Sequence, residues 1–138
     1  MAEELRIRPN GDLASALRDY LTEWSERSGI AVEIWALPVT AVPGRVARVV
    51  YTTLVEALSN VERHSRARQV SVAVTAGKAG LRMTVSDDGA GFAVDEVGPG
   101  SARGLAAMRA RFAEAGGMLT INSVPGGGTT VTGVIRAR

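Results

Sequence analysis

Residues 69–86, QVSVAVTAGKAGLRMTVS, predict two strands joined by a tight turn, and this prediction decides the fold class. Apolar residues alternate with polar or small ones on either side of a turn that Gly77 and Gly80 bracket. Neighbouring parallel strands need a long crossover between them, usually a helix. Two successive strands with only a turn between them therefore exclude a purely parallel sheet.

Helical and extended patterns continue outward from this pair of strands. The spacing of apolar residues predicts three helices, over 11–28, over 45–65 and from Leu105 to the glycines at 116–117. Further strands are predicted over 31–37, 118–123 and 129–135. We expect an α+β fold, a two-layer α/β sandwich in which three helices cover one face of a mixed five-stranded sheet.

The composition excludes several classes of protein. The 138 residues suit one domain, and they are 46% hydrophobic and 22% charged, as in ordinary globular proteins. The absence of cysteine excludes disulfides and thiolate metal sites, in keeping with a cytoplasmic location. A net charge of +2 with 4% aromatic residues argues against nucleic acid as a partner. No apolar run reaches the roughly 20 residues that span a bilayer, so we expect no membrane contact by this segment.

A polar stripe follows one face of the second predicted helix. Glu56, Asn60, Arg63 and His64 are separated by four, three and one residues, which places them on one side of a helix. Carboxylate and amide oxygens one turn apart can hold a hard cation and its waters. A guanidinium one turn further can meet phosphate oxygens. The alternative interpretation of this stripe is a solvated helix face.

An aspartate stands at the end of the second strand of the predicted hairpin. Asp87 continues the apolar side of that strand, where a carboxylate needs a hydrogen-bond donor such as the exocyclic amine of adenine. In the alternative interpretation Asp87 lies beyond the strand and caps the turn before Gly89. Both Gly89 and Gly91 permit positive φ and the close approach of a flat ligand.

A second group of glycines precedes the third predicted helix. The unpaired amides at such a helix start attract phosphate, and Ser101 is expected to be the N-cap. A flexible surface loop is the alternative for any one glycine cluster. Three clusters in order, the third at 126–128, after a strand-end aspartate and a Glu/Asn helix, favour a nucleotide site instead.

These motifs together resemble those of bacterial sensor histidine kinases, and most closely the subgroup that includes nitrate and membrane-fluidity sensors. Residues 56–65, EALSNVERHS, resemble the asparagine box of that family. Residues 87–92, DDGAGF, resemble its first glycine box, and 104–117, GLAAMRARFAEAGG, its second. Residues 123–129, SVPGGGT, resemble the closing glycine-threonine segment. The resemblance runs from about residue 12 to the end of the chain.

The resemblance implies a Bergerat-type ATP-binding fold, shared with gyrase, heat-shock chaperone and mismatch-repair ATPases, and the cofactors ATP and Mg²⁺. It implies that Asn60 ligates Mg²⁺ and that Glu56, the catalytic residue, orients a metal-bound water or acts as general base. It also implies that Asp87 holds the adenine amino group while Arg63 and His64 approach the phosphates. The remaining nucleotide contacts that it implies are Gly89, Gly91, Gly104, Leu105 and Thr129.

Two features depart from a complete kinase of this family. The second glycine box usually has a glycine where Ala102 stands, and the methyl group is expected to weaken nucleotide affinity. The only histidine, His64, falls in the ATP-binding helix rather than on a dimerising hairpin. We therefore expect one monomeric ATP-binding domain over 1–138, with a linker remnant at 1–10.

Such a domain would donate the γ-phosphoryl group of ATP to a histidine hairpin of the same kinase or of a partner kinase. A response regulator would be an indirect partner, and the parent protein could be a membrane-bound kinase with this domain at its cytoplasmic end. The alternatives are an anti-sigma-factor serine kinase of the same fold and a degenerate interaction module.

Overall fold

The computed structural model describes residues 13–90 and 99–136, without the side chains of 64–65 and 99–103. The linker predicted at 1–10 lies outside these residues. The helices are Leu13–Ser28 (α1), Gly44–Asn60 (α2) and Pro99–Glu114 (α3). The strands are Ala31–Ala36 (β1), Gln69–Gly77 (β2), Gly80–Asp87 (β3), Gly117–Ser123 (β4) and Thr129–Arg136 (β5).

The five strands form one mixed sheet in the order β1-β2-β3-β5-β4. The β1 strand pairs parallel with β2, because α2 supplies the crossover between them. The other three pairs are antiparallel, and the predicted hairpin turn joins β2 to β3 through Gly80, whose φ is 129°. The sequence-based prediction of a mixed sheet is therefore confirmed.

The helices bury their apolar stripes against one side of the sheet. Along β2 and β3 every second residue is buried, and the residues between them are more exposed. From α1 the core receives Leu17, Leu21 and Trp24, and from α3 it receives Met108 and Phe112. This is the predicted two-layer α/β sandwich. No helix within 13–90 or 99–136 is long and apolar enough to cross a bilayer.

The second helix differs from its prediction at its end. The sequence predicts one regular helix over 45–65, but α2 ends at Asn60 and Val61–Ser65 form a π-helical turn. Arg66 follows with a left-handed φ of 57°. The Nε1 of Trp24 donates to Glu62 Oε1 in this turn at 3.1 Å, so α1 contacts the turn directly. Apolar spacing could not reveal the change, because five residues are too few to separate the two helical periods.

The third helix begins earlier than predicted. The predicted start after Gly104 and the N-cap role of Ser101 are both wrong, since α3 begins at Pro99. Proline suits the first position of a helix because its missing N–H would be unpaired there anyway. The glycines between 89 and 104 favoured a loop in the sequence, because glycine is a poor helix former. As a result Gly104 lies in the second turn of α3 rather than before the helix.

Candidate active site

The polar stripe of α2 meets α3 at a glycine. A Cβ atom added to Gly104 would lie 3.7 Å from Glu56 Oε2 and 4.0 Å from Asn60 Nδ2. Any side chain beyond a methyl group would therefore reach the two polar groups that the sequence singled out. The structure thus brings Gly104 of the second glycine motif beside the Glu/Asn stripe, 44 residues or more away in the sequence.

The stripe continues into the π-helical turn. Arg63 Nη2 donates to Asn60 Oδ1 at 3.1 Å, so these two residues share a face as predicted. The Asn60 oxygen has a second lone pair, which leaves it able to accept another donor or a cation. His64 belongs to the same turn, and its side chain lies outside the described part of the chain.

Asp87 is the last residue of β3 and is half-buried. It lies opposite Val70 of β2 and Thr129 of β5 in the sheet. Its Oδ1 accepts the Gly89 amide at 2.8 Å. Burial raises the pKa of Asp87, while the amides of Gly89 and Thr129 oppose the shift and the neighbouring Asp88 adds to it. Asp87 thus ends the strand rather than lying beyond it, and its carboxylate also caps the following turn.

The adjacent aspartate has a different environment. Asp88 Oδ1 accepts the backbone amides of Arg68 and Gln69 at 2.9 and 3.1 Å. These bonds lower the pKa of Asp88, which is exposed. Asp88 thus fixes the chain at the start of β2, whereas Asp87 keeps a half-buried carboxylate at the edge of the core.

The closing glycine-threonine segment packs directly against Asp87. Gly128 has a φ of 77°, and an added Cβ atom would overlap the backbone of Asp87, so no larger residue fits there. Ser123 Oγ and Thr129 Oγ1 are 2.7 Å apart, which fixes the Thr129 hydroxyl beside the end of β3. The Gly126 amide bonds to the Ala90 carbonyl oxygen. Thr129 and Asp87, both predicted site residues, are therefore neighbours.

Two further predicted residues have different surroundings. The Leu105 side chain is 7% exposed and belongs to the hydrophobic core, so only its backbone could face a ligand. Gly91 lies outside the described residues.

Sequence reasoning missed Arg111 as a site residue. Its Nη2 lies 3.8 Å from Glu56 Oε1, and the two side chains are 31% and 29% exposed. Its Nη1 is buried and has no hydrogen-bond partner in the described structure. Spacing shows only that Arg111 follows Gly104 by seven residues, or about two helical turns, and gives no sign that Glu56 of another helix lies opposite it.

Comparison with known proteins gives a consistent result. Residues 45–138 match the family described as histidine kinase-, DNA gyrase B- and HSP90-like ATPases. The chain is 37% identical over 131 residues to the sensor histidine kinase LiaS of Bacillus subtilis, covering 92% of this chain and 36% of that protein. It is 36% identical over 140 residues to the sensor histidine kinase MctS of Rhizobium johnstonii, covering 98% and 30%. The chain thus spans about a third of the length of these relatives.

Solved structures with the same fold include a light-regulated kinase. The blue-light activated histidine kinase of Erythrobacter litoralis EL346 superposes with a TM-score of 0.73 at 24% identity, over 96% of this chain and 43% of that one. The histidine kinase domain of the same protein gives a TM-score of 0.72 at 22% identity, over 93% and 64%. None of these similarities favours the serine-kinase or degenerate alternatives.

Proposed function

Because the chain belongs to the family of histidine kinase-, DNA gyrase B- and HSP90-like ATPases, we propose that it is the ATP-binding domain of a sensor histidine kinase. Its role would be to bind Mg-ATP and to donate the γ-phosphoryl group to a histidine on a separate hairpin. The observation that supports this most directly is the contact of Gly104 with Glu56 and Asn60. It brings a glycine-containing helix onto a carboxylate and an amide, the groups that a metal-bound triphosphate needs.

The donor set fits magnesium. Glu56 and Asn60 offer hard oxygen atoms one helical turn apart, and Mg²⁺ is usually held by one or two such side chains together with phosphates and waters. No cluster of three or more His, Cys, Asp or Glu residues occurs in 13–90 and 99–136, which fits an ion that arrives with its nucleotide. We assign Asn60 as a direct ligand and Glu56 as a ligand through water. When bound, the ion would neutralise charge on the phosphate oxygens.

The adenine would bind at the end of β3. Asp87 presents a half-buried carboxylate there, and burial disfavours its charged form unless a donor compensates. The exocyclic amine of adenine is an uncharged donor, whereas guanine carries an acceptor at the same position. We propose that Asp87 selects adenine in this way, with Thr129 beside it and Gly89 leaving room for the ring.

Phosphoryl transfer would proceed without a covalent role for this chain. The bond from the γ-phosphorus to the bridging oxygen breaks, a bond to the acceptor imidazole nitrogen forms, and ADP leaves. The acceptor must lie in line, about 3–3.5 Å from the phosphorus. His64 follows Asn60 by four residues on the proposed metal-binding stripe, so we propose that the acceptor belongs to another segment. A response regulator would receive the phosphoryl group from that histidine, in the cytoplasm.

Nucleotide binding is tested by thermal unfolding and calorimetry. Mg-ATP at 100 times its dissociation constant should stabilise the domain by about 2.7 kcal/mol. Asn60→Ala should weaken binding of Mg-ATP but leave adenosine binding nearly unchanged, because adenosine carries no phosphate for a metal to meet. Asn122→Ala, at an exposed position of β4, is the matched control. Absence of any binding at millimolar Mg-ATP would refute the proposed function.

Phosphoryl donation is tested with γ-labelled ATP. The isolated chain should carry no acid-labile label, whereas a histidine hairpin from the parent kinase added in trans should become labelled. Glu56→Ala should lower the rate of that labelling. Acid-labile label on the chain itself that His64→Ala removes would overturn the assignment of the acceptor to another segment.

A further inference from the structure

The carboxylate of Glu56 lies along α3 rather than in open solvent. Its Oε2 faces Gly104, 3.7 Å from the position of an added Cβ, and its Oε1 faces Arg111 Nη2 at 3.8 Å. These two α3 residues are about two turns apart. Side chains in a helix lean toward its N-terminus, so the Arg111 side chain extends back toward Gly104. Glu56 is therefore held between one residue that leaves space and one that carries a positive charge.

The part of α3 that carries Arg111 is firmly anchored. Met108 and Phe112 are fully buried on either side of it in sequence. One turn further on, Arg45 Nη2 donates to the Glu114 carbonyl oxygen at 2.9 Å and joins the end of α3 to the start of α2. The backbone that carries Arg111 is thus fixed relative to α2, the helix that carries Glu56.

The ion pair leaves both terminal nitrogens of Arg111 without a hydrogen bond to Glu56. A distance of 3.8 Å is too long for a hydrogen bond, so the guanidinium attracts the carboxylate without occupying its lone pairs. Arg111 Nη1 is buried and makes no hydrogen bond within the described structure. A pair that served stability alone would be expected to use these donors, since a buried donor without a partner is costly. This arrangement suits a group that orients a carboxylate which must itself accept from a water.

We propose that Arg111 is a positioning residue for Glu56, holding its carboxylate from α3 in the orientation that phosphoryl transfer requires. This inference rests on the proposed function, because it assumes that Glu56 acts on Mg-ATP. Arg111 itself makes and breaks no bond and is not required for the adenine end of the site. Its loss should therefore reduce turnover far more than nucleotide affinity.

The test compares Arg111→Met with Arg109→Met. Both remove a guanidinium from α3 and keep an unbranched apolar stem, but Arg109 is exposed. Three quantities are measured: the Kd for Mg-ATP by calorimetry, kcat and KM for ATP in the labelling of the histidine hairpin added in trans, and the Glu56 side-chain couplings by NMR in the nucleotide-free chain. Arg111→Met should lower kcat at least tenfold, change Kd less than threefold, and average the couplings. Arg111→Lys should restore part of kcat, because it restores the charge.

The outcomes separate the two levels of the proposal. If the native chain binds no Mg-ATP, the proposed function fails. If the native chain binds Mg-ATP but Arg111→Met matches Arg109→Met in kcat and in couplings, the positioning role is refuted and the proposed function stands. The couplings need no turnover, so they decide the question even for a slow enzyme. Equal thermal unfolding of both variants shows that neither effect comes from misfolding.

Discussion

Replacing Asp87 by asparagine should weaken adenine nucleotide binding while leaving the fold intact. The substitution conserves the shape of the side chain, and the Asn Oδ1 atom can still accept the Gly89 amide that Asp87 accepts at 2.8 Å. The second oxygen becomes an NH₂ group. That group would face either the Thr129 amide, which bonds to the carboxylate in the native chain, or the amine of the base. Both are donors, so the NH₂ group can accept a hydrogen bond from neither. One charge-assisted hydrogen bond is lost in either arrangement.

The expected loss follows from the strength of such a bond. A hydrogen bond to a charged group contributes about 1.5–3 kcal/mol, which corresponds to a Kd for Mg-ATP roughly 10- to 150-fold higher. Isothermal titration of native chain and variant with Mg-ATP, at one salt concentration and one pH, measures this change directly. The native chain should also bind GTP more weakly than ATP, because guanine places an acceptor against the Asp87 carboxylate.

Asp88→Asn is the matched control for this experiment. It removes the same charge one residue away, from a carboxylate that bonds to the amides of Arg68 and Gln69 instead of facing the proposed base site. Its Kd for Mg-ATP should stay within about threefold of the native value. An unchanged Kd in Asp87→Asn, an equal loss in both variants, or equal native affinity for ATP and GTP would each refute the assignment of adenine recognition to Asp87.

Three further predictions concern stability. Burial raises the pKa of Asp87 above its ordinary 3.8, so the native state binds this proton more tightly than the unfolded chain does. The contribution of Asp87 to stability therefore falls as the pH rises from 3.8 through the raised pKa of the native state. The unfolding free energy of Asp87→Asn relative to native should therefore rise from pH 3.8 toward neutrality in urea titrations, and a difference independent of pH would contradict this. Gly133→Ala should cost about 1–3 kcal/mol in the same assay, because its Cβ would overlap the Phe112 ring, and a neutral effect would show that the ring can move. Glu62→Ala should cost about 1 kcal/mol by leaving the Trp24 indole N–H without its acceptor, and an unchanged unfolding midpoint would show that water replaces that acceptor.

The sequence contained enough information for the layers and for the shared face of Asn60 and Arg63. Apolar alternation set the strands, and the hairpin at 69–86 required the mixed sheet that the structure has. Helical spacing placed Asn60 and Arg63 on one face, where their side chains bond. These predictions succeeded for one reason. Each depends on the spacing of residues along a single strand or helix, and tertiary contacts did not change that element.

The failures occur where local signals have two meanings. The glycines before Leu105 suggested a loop, yet Pro99 and Gly100 begin α3, because a proline at the first helical position loses no hydrogen bond. The π-helical turn at Val61–Ser65 has no distinct signature in apolar spacing. Arg111 was missed for a different reason. Its role depends on the distance between two helices, and no pattern within α3 alone could reveal that Glu56 lies opposite it.

The contact distances also determine how a triphosphate could enter the site. Glu56 Oε2 already lies at van der Waals distance from the Cβ position of Gly104, so no phosphate or hydrated ion fits between them in this arrangement. A triphosphate would therefore approach Glu56 from beside Gly104, unless a separation of the first turns of α3 from α2 opens the space between them. Gly100 and Gly104 make that separation inexpensive, because each glycine costs a helix about 1 kcal/mol relative to alanine. The end that carries Arg111 is anchored by Phe112 and can stay in place. A helix that is weak at its start and fixed near its end can thus admit the ligand without releasing the carboxylate.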